Sequence, residues 1–441
     1  MHFTVRFRWG LLVTTLVGLV ACTNNDVDPN SPGGTPSKGD ADFTKYVAVG
    51  NSLTAGYADA GLYRDSQLNS YPNILSGQFR TVGGGDFIQP LFTEAQANGS
   101  GYIRLIKLPA SATSLPTFDT TRSQLGVRGI STNNTVLYTK FTDANQNLGV
   151  PGIRVADLLI QGYGSTAGGN PYFERFLTNQ GLTYFQYVSD NLSGATFYSC
   201  WLGNNDALGY AISGGTGEEN GVRGLTSTSL FTTNFTAVMN KLAEGNRKGV
   251  VIGIPNIVQT PYFTTATAQI NGLLQAQGIP GLAIRSRSAP GGVRRSTTSD
   301  YFLLSIAPVL NSFIARGIGL STTNPVPDEY VLDANEVQIL NTRIGEFNGV
   351  MKAQADAKGA AFIDPNIVLN QVSSATGLIQ NGITYKADYL QGGVYSLDGI
   401  HLTPAGYALM ANEIIKGINT KYTATVPQVN AGNYRRVLLQ N

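Results

Sequence analysis

The chain has 441 residues, 42% of them hydrophobic, which is enough to bury a domain-sized core and rules out a disordered tail or a staple-dependent mini-protein. Charged residues are only 13%, well under the ~25% of average soluble proteins, and 52 glycines suit a loop-rich extracytoplasmic protein. Two cysteines, Cys22 and Cys200, and two histidines, His2 and His401, exclude a disulfide framework and a zinc site of the Cys/His type.

Residues 1–21 read as a secretory signal, with Arg6 and Arg8 ahead of an apolar run at 10–20 and Ala21 before Cys22. The run is shorter than the ~20 residues a spanning helix needs. Leu19-Val20-Ala21-Cys22 resembles a bacterial lipobox, which implies cleavage before Cys22 and a lipid on its thiol. Loss of Arg6 and Arg8 brings the 30 basic side chains level with the 28 acidic ones, which argues against a nucleic-acid partner. The same cut removes His2 and leaves His401 as the one imidazole. Residues 22–42, rich in Pro, Gly, Ser and Asn, read as a flexible tether between membrane and domain. No later window holds 18 apolar residues, so the membrane anchor is expected to be lipid alone. Thr23 after the Cys favours an outer-membrane place in the cell envelope.

Apolar runs bounded by turn residues recur at 45–50, 195–202, 249–254 and 359–363, a pattern suited to strands buried on both faces of a parallel sheet. Residues 333–353 place Val337, Leu340, Ile344, Phe347 and Met351 at helical spacing behind an Asp333/Glu336 capping pair. Residues 404–418 repeat the pattern through Tyr407, Met410, Ile414 and Ile418, with Thr403 as N-cap and Pro404 in the first turn. Strands alternating with helices predict a three-layer α/β/α domain over 43–422 with a mostly parallel sheet, followed by a tail at 423–441. Two stretches break the rhythm and read as insertions. Residues 84–146 suggest β-hairpins or a surface excursion, with alternating pieces at 102–108 and 135–141. The second runs from 264 to about 335. Its stretch 264–299 carries Arg285, Arg287, Arg294 and Arg295 without any acid, which suits a solvated loop or an anion contact.

Four segments join strand ends or loops to residue types used in acyl transfer. Ser52, in GNSLTAG, follows the first strand, where open α/β folds bind ligands and a helix N-terminus favours a developing negative charge. Gly152 closes NLGVPG, a turn that permits close backbone approach. Asn205, in GNND, sets a carboxamide past the second strand, the kind of donor that meets an oxyanion. Asp398 precedes His401 by three residues in DGIHLTP, so it can hold one ring nitrogen while the other faces a hydroxyl.

In this order the four segments resemble the blocks of the SGNH (GDSL-type) hydrolase superfamily of esterases and lipases, over about residues 43–422. The resemblance implies a flavodoxin-like α/β/α domain that cleaves esters through an acyl-enzyme, with no metal and no organic cofactor. It implies Ser52 as nucleophile, His401 as base, Asp398 as its partner, and Ser52, Gly152 and Asn205 as oxyanion donors. The family's usual Asp before the nucleophile is Asn51 here, at a position that supports the turn. The long separations of Ser52 from Gly152 and of Asn205 from Asp398 hold the two insertions, expected to form a cap over the site.

The leading expectation is a lipid-anchored serine esterase whose substrate is an acyl lipid or short-chain ester, or an acetylated glycan. A binding protein on a hydrolase scaffold is the competing class. A metallohydrolase is disfavoured by the single imidazole, with an all-carboxylate calcium site left open. Cys200 reads as a small core residue rather than a second nucleophile.

Overall fold

The computed structural model describes residues 35–109 and 116–437. The expected signal segment, Cys22 and the first part of the tether lie outside these residues. Four parallel strands carry the fold: β1 (Tyr46–Gly50), β2 (Phe197–Trp201), β3 (Lys248–Ile252) and β4 (Ala361–Ile363), hydrogen-bonded in that order. The pairing sets Ala48 beside Ser199 and Ser199 beside Val250. The apolar runs are legible as strands because both sheet faces are covered, so there is no polar face to break them.

A fifth extended piece lies on the free side of β1. Ala48 N–H donates to Gln146 O at 2.8 Å, Leu148 N–H to Ala48 O at 2.8 Å, and Val150 N–H to Gly50 O at 3.0 Å. Counting this piece as the second strand in the chain gives the order 2-1-3-4-5, that of flavodoxin-like folds, whose ligand crevice lies where the winding reverses, between strands one and three. Ser52 and Asn205 follow those two strands.

The helices used below are α1 (Ser52–Ala55), α2 (Tyr71–Arg80), α3 (Tyr184–Asn191), α4 (Asn205–Ile212), α5 (Thr228–Leu242), α6 (Pro261–Ala276), α7 (Ala334–Ala357) and α8 (Pro404–Tyr422). On one face of the sheet α2 and α8 bury Leu75, Phe79, Met410 and Ile414 against Ala48, Phe197 and Val250. On the other, α3, α5 and α7 bury Val188, Phe235, Met239 and Phe347 against Val47, Val49 and Val251. Alternate residues of β1 thus enter opposite cores, which makes the three layers. The capping residues act as expected: Asp333 accepts from Glu336 N–H and Thr403 from Gly406 N–H.

The first insertion folds into two antiparallel hairpins, Ile103–Lys107 with Thr117–Thr120 and Val127–Ile130 with Val136–Tyr138. The second has a small core of its own, in which Ile270 of α6 meets Ile284, Phe302, Ile306 and Val326. Its arginines are mostly spent on this architecture. Arg294 grips the fully buried Asp300, with Nη2 at 2.6 Å and Nη1 at 2.7 Å from the carboxylate, while Arg287 and Arg295 donate to backbone carbonyls.

The described end of the tether differs from the flexible reading. Ala41 is buried, Asp40 N–H donates to Tyr422 O at 2.8 Å, and Thr425 N–H donates to Ser37 O at 2.8 Å. The described part of the C-terminal tail is docked as well, with Val426 and Val429 buried and the Asn412 carboxamide bracketing Val429. Small apolar residues after each polar stretch supply the area that holds both segments down.

Candidate active site

The chain leaves β1 at Gly50 and turns at once into α1. Asn51 caps that helix by accepting from Leu53 N–H at 3.0 Å and donates to Asn204 Oδ1 at 2.9 Å, so it ties the β1 turn to the β2 turn. An Asn can do both because it carries a donor and an acceptor; a carboxylate would lack the donor. Ser52 is therefore fixed at the first position of a helix at the carboxyl edge of the sheet.

Across the edge, the 398–404 turn brings up the other two groups. His401 Nε2 lies 2.9 Å from Ser52 Oγ, and His401 Nδ1 lies 2.8 Å from Asp398 Oδ2. Asp398 Oδ1 accepts the backbone N–H groups of Ile400 at 2.9 Å and His401 at 2.8 Å, while Oδ2 also accepts Ala60 N–H at 3.1 Å. Burial pushes this carboxyl up, but the His401 charge, the ring hydrogen bond and the backbone donors outweigh it and hold the acid well below the usual carboxylate range. The Tyr57 ring packs 4.7 Å from the imidazole, centroid to centroid, and closes one side of it.

The third wall is the 146–157 loop. Asn147 Nδ2 donates to Thr54 O at 3.0 Å, and the Tyr184 hydroxyl donates to Leu148 O at 2.7 Å, which pins the loop against α1. Gly149 runs so close that an added Cβ would lie 2.4 Å from Ala55 N. Gly152 has φ +84°, a left-handed conformation that costs other residues roughly 1–2 kcal/mol. Among the described residues neither Ser52 N–H nor Gly152 N–H has a hydrogen-bond partner. Asn205 Nδ2 donates one hydrogen to Ile153 O at 2.9 Å, and its second remains for the cleft that Asn205 lines with Ser52 and His401. Gly152 does not line that cleft and sits beside it, held through Ile153 and through Asn170 Nδ2, which donates to Pro151 O at 2.7 Å.

Two carboxylates matter here that motif reasoning passed over. Asp206 is fully buried and takes Val155 N–H at 2.7 Å, Ala156 N–H at 3.1 Å and the Thr226 hydroxyl at 2.7 Å, which clamps the loop after Gly152. Burial raises its acid to about 6, partly offset by those donors. Its signal was an acid beside Asn205 at a strand end. Asp59, which braces the 396–398 turn, had none, because its partners are distant in sequence.

The space at Ser52 is small, about 50 Å³, between Leu208, Ile257 and Ile400. A larger cleft of about 930 Å³ opens at Asp398, walled by Leu108 and Phe118 of the first insertion, Leu304 of the second, and Tyr262 and Tyr389. Cys200 is buried in β2 and its thiol is pushed up to about 12 by burial, so it stays a neutral core side chain. Among the described residues no cluster of three or more His, Cys, Asp or Glu could hold a metal ion, and no helix is long and apolar enough to cross a membrane.

Comparison with known proteins adds an independent line. The family model for the GDSL-like lipase/acylhydrolase matches residues 46–414, which include all five expected site residues. A solved extracellular lipase from Streptomyces rimosus is similar at 13% identity over 86% of this chain and 99% of that one, with a TM-score of 0.31, too low to add to the argument. No curated protein matches. With a parallel α/β/α sheet and a family match across most of its length, the chain belongs to the GDSL-like lipase/acylhydrolase family and is a carboxylic ester hydrolase.

Proposed function

We propose that this esterase works through an acyl-enzyme on Ser52 and acts on esters with a long apolar chain. The Ser52–His401–Asp398 contact chain, at 2.9 and 2.8 Å, carries the first half of the reading. Ser52 Oγ attacks the carbonyl carbon while His401 Nε2 takes its proton. Asp398 holds the ring with Nδ1–H inward and stabilises the imidazolium. The tetrahedral oxyanion is met by the Ser52 and Gly152 N–H groups and the free hydrogen of Asn205, each such donor being worth about 2.7–4 kcal/mol. Collapse expels the alcohol, which takes the proton back from His401. A water then gives a proton to His401 and attacks the acyl carbon; the second tetrahedral intermediate collapses to the carboxylic acid, and the departing Ser52 Oγ takes the proton back from His401.

The apolar cleft supports the second half. About 930 Å³ walled by Leu, Phe, Tyr and Pro side chains suits an alkyl chain better than a hydrated acetyl-glycan. For location, the lipobox-like segment ending at Cys22 supports a lipid-anchored envelope protein.

The test is hydrolysis of aryl esters from acetate to palmitate, with acetylated xylan alongside, by wild type and Ser52→Ala. Wild-type kcat/KM should rise with chain length, and Ser52→Ala should lose roughly 10⁴-fold or more. Equal rates in the two proteins would remove Ser52 from the mechanism. A preference for acetyl esters would favour the glycan reading, and no turnover on any ester a binding protein. Fatty-acid labelling that vanishes in Cys22→Ser checks the anchor.

A further inference from the structure

Behind Asp398 lies a chain of buried polar groups that the acyl-transfer steps do not use. The 58–61 turn closes on itself, Ala58 N–H to Gly61 O at 3.0 Å and Gly61 N–H to Ala58 O at 2.9 Å. Its central residues, Asp59 and Ala60, have φ of +53° and +59°, a left-handed pair with no glycine in it. Such a pair costs of order 1–3 kcal/mol per residue and persists only where the surroundings enforce it. The turn aims two successive N–H groups at the 396–398 turn: Asp59 N–H donates to Ser396 Oγ at 2.9 Å, and Ala60 N–H to Asp398 Oδ2 at 3.1 Å. Ser396 Oγ in turn donates to Asp398 Oδ1 at 3.2 Å.

The Asp59 side chain, 5% exposed, completes the brace. Oδ1 accepts Leu397 N–H at 2.9 Å, and Oδ2 accepts the Tyr63 hydroxyl at 2.6 Å. The Tyr63 oxygen accepts from Arg435 Nη2 at 2.9 Å, and Arg435 also pairs with Asp65 Oδ2 at 2.9 Å. The backbone of Arg435 reaches the same neighbourhood from the other side, where its carbonyl accepts Ala405 N–H at 3.0 Å in the first turn of α8. Arg435 lies in the tail, beyond the 46–414 span that the family model matches.

We infer that Asp59 is a positioning residue for the Asp398–His401 pair, locked in place through Tyr63 by Arg435 of the C-terminal tail. The inference rests on the reading of Asp398 and His401 as the acid–base pair. Asp398 is held by the Ala60 N–H and the Ser396 hydroxyl, while Asp59 fixes the backbone next to it through Leu397 N–H, so that its Oδ2 stays on the line to His401 Nδ1. An unbraced carboxylate would swing toward the open cleft it lines, and misplacement of about 1 Å at a reacting pair is worth on the order of 10²-fold.

The test is a double-mutant cycle on the full-length protein, reading kcat, KM and the low-field proton signal of the His401 ring, resolvable because the chain has only two histidines. Asp59→Asn keeps the Leu397 acceptor but loses the carboxylate toward Tyr63. It should lower kcat ten- to a hundredfold with KM within twofold, and shift the ring-proton signal. Tyr63→Phe, which keeps the ring packing, should do the same more weakly, and Arg435→Lys should recover more of kcat than Arg435→Ala. In an Asp398→Asn background, Asp59→Asn should cost nothing further, because its effect passes through Asp398. Should Asp59→Asn misfold, the cycle is run with Tyr63→Phe. Wild-type kcat and an unmoved ring proton in both variants, or losses that multiply in the Asp398→Asn background, would overturn the inference. Full activity in Asp398→Asn would instead sink the acid–base reading, and the inference with it.

Discussion

Asp398 serves two masters with two oxygens, one taking the backbone donors of its own turn and the other facing His401. Asp398→Asn must put its Nδ2 on one side or the other, against backbone N–H groups or against the ring nitrogen, where it selects the wrong tautomer. We expect kcat to fall about 10⁴-fold with substrate binding nearly intact, checked by single-turnover kinetics. The pH sign follows from its depressed acidity. The folded carboxylate contributes stability above the ordinary aspartate value near 3.8, and that contribution is lost as pH falls through the lower folded value, so it weakens only in strong acid. The five expected site residues were legible because each sits in a short motif at a strand end or in a loop, and the fold brings Ser52, Asn205 and His401 to one cleft with Asp398 behind the imidazole. Asp59 was not legible, because a brace made by tertiary hydrogen bonds across distant segments leaves no local pattern.

The 146–157 loop is the element on which motif reasoning saw least. NLGVPG reads as a turn, since Asn, Gly and Pro are poor strand formers, yet its residues complete the sheet edge beside β1. The glycines are there for close approach and left-handed geometry, which hides the strand. Asp206 fastens this element, and its titration gives a check. Its folded acid is raised to about 6, so between about 3.8 and 6 the folded state binds more protons than the unfolded one, and this group's contribution to stability falls as pH rises through that window. Asp206→Asn should remove that slope. Losing one acceptor for Val155 or Ala156 N–H should also cost about 1–3 kcal/mol near pH 4, read from denaturant melts across pH 4–7. By contrast α7 and α8 followed their apolar spacing and capping residues closely, because a long helix with one buried face is specified locally.

At the scale of the molecule, the sheet comes from runs that any α/β domain could carry, and the insertions supply walls of the larger cleft, to which the proposal assigns substrate choice. Leu108 and Phe118 line the cleft and stand exposed, apolar surface that a compact core would have hidden. Replacing both with Ser should lower kcat/KM for palmitoyl esters roughly tenfold and leave acetate esters unchanged, as measured by the same aryl-ester series. The second insertion was harder to read because its arginines find partners outside their own stretch, Asp300 above all, so a charge cluster in sequence became internal wiring in space. The docked segment at 37–41 bears on how the molecule faces its surroundings. It meets Tyr422 and the Lys248 side chain at the start of β3, whereas Ser52 and His401 lie past the strands' far ends, about 17 Å away along a five-residue strand. For a chain held by a lipid at Cys22, as proposed, attachment and catalysis then occupy opposite poles. On that proposal the catalytic end of the sheet is the end farther from the docked segment, a geometry that suits esters presented away from the anchor.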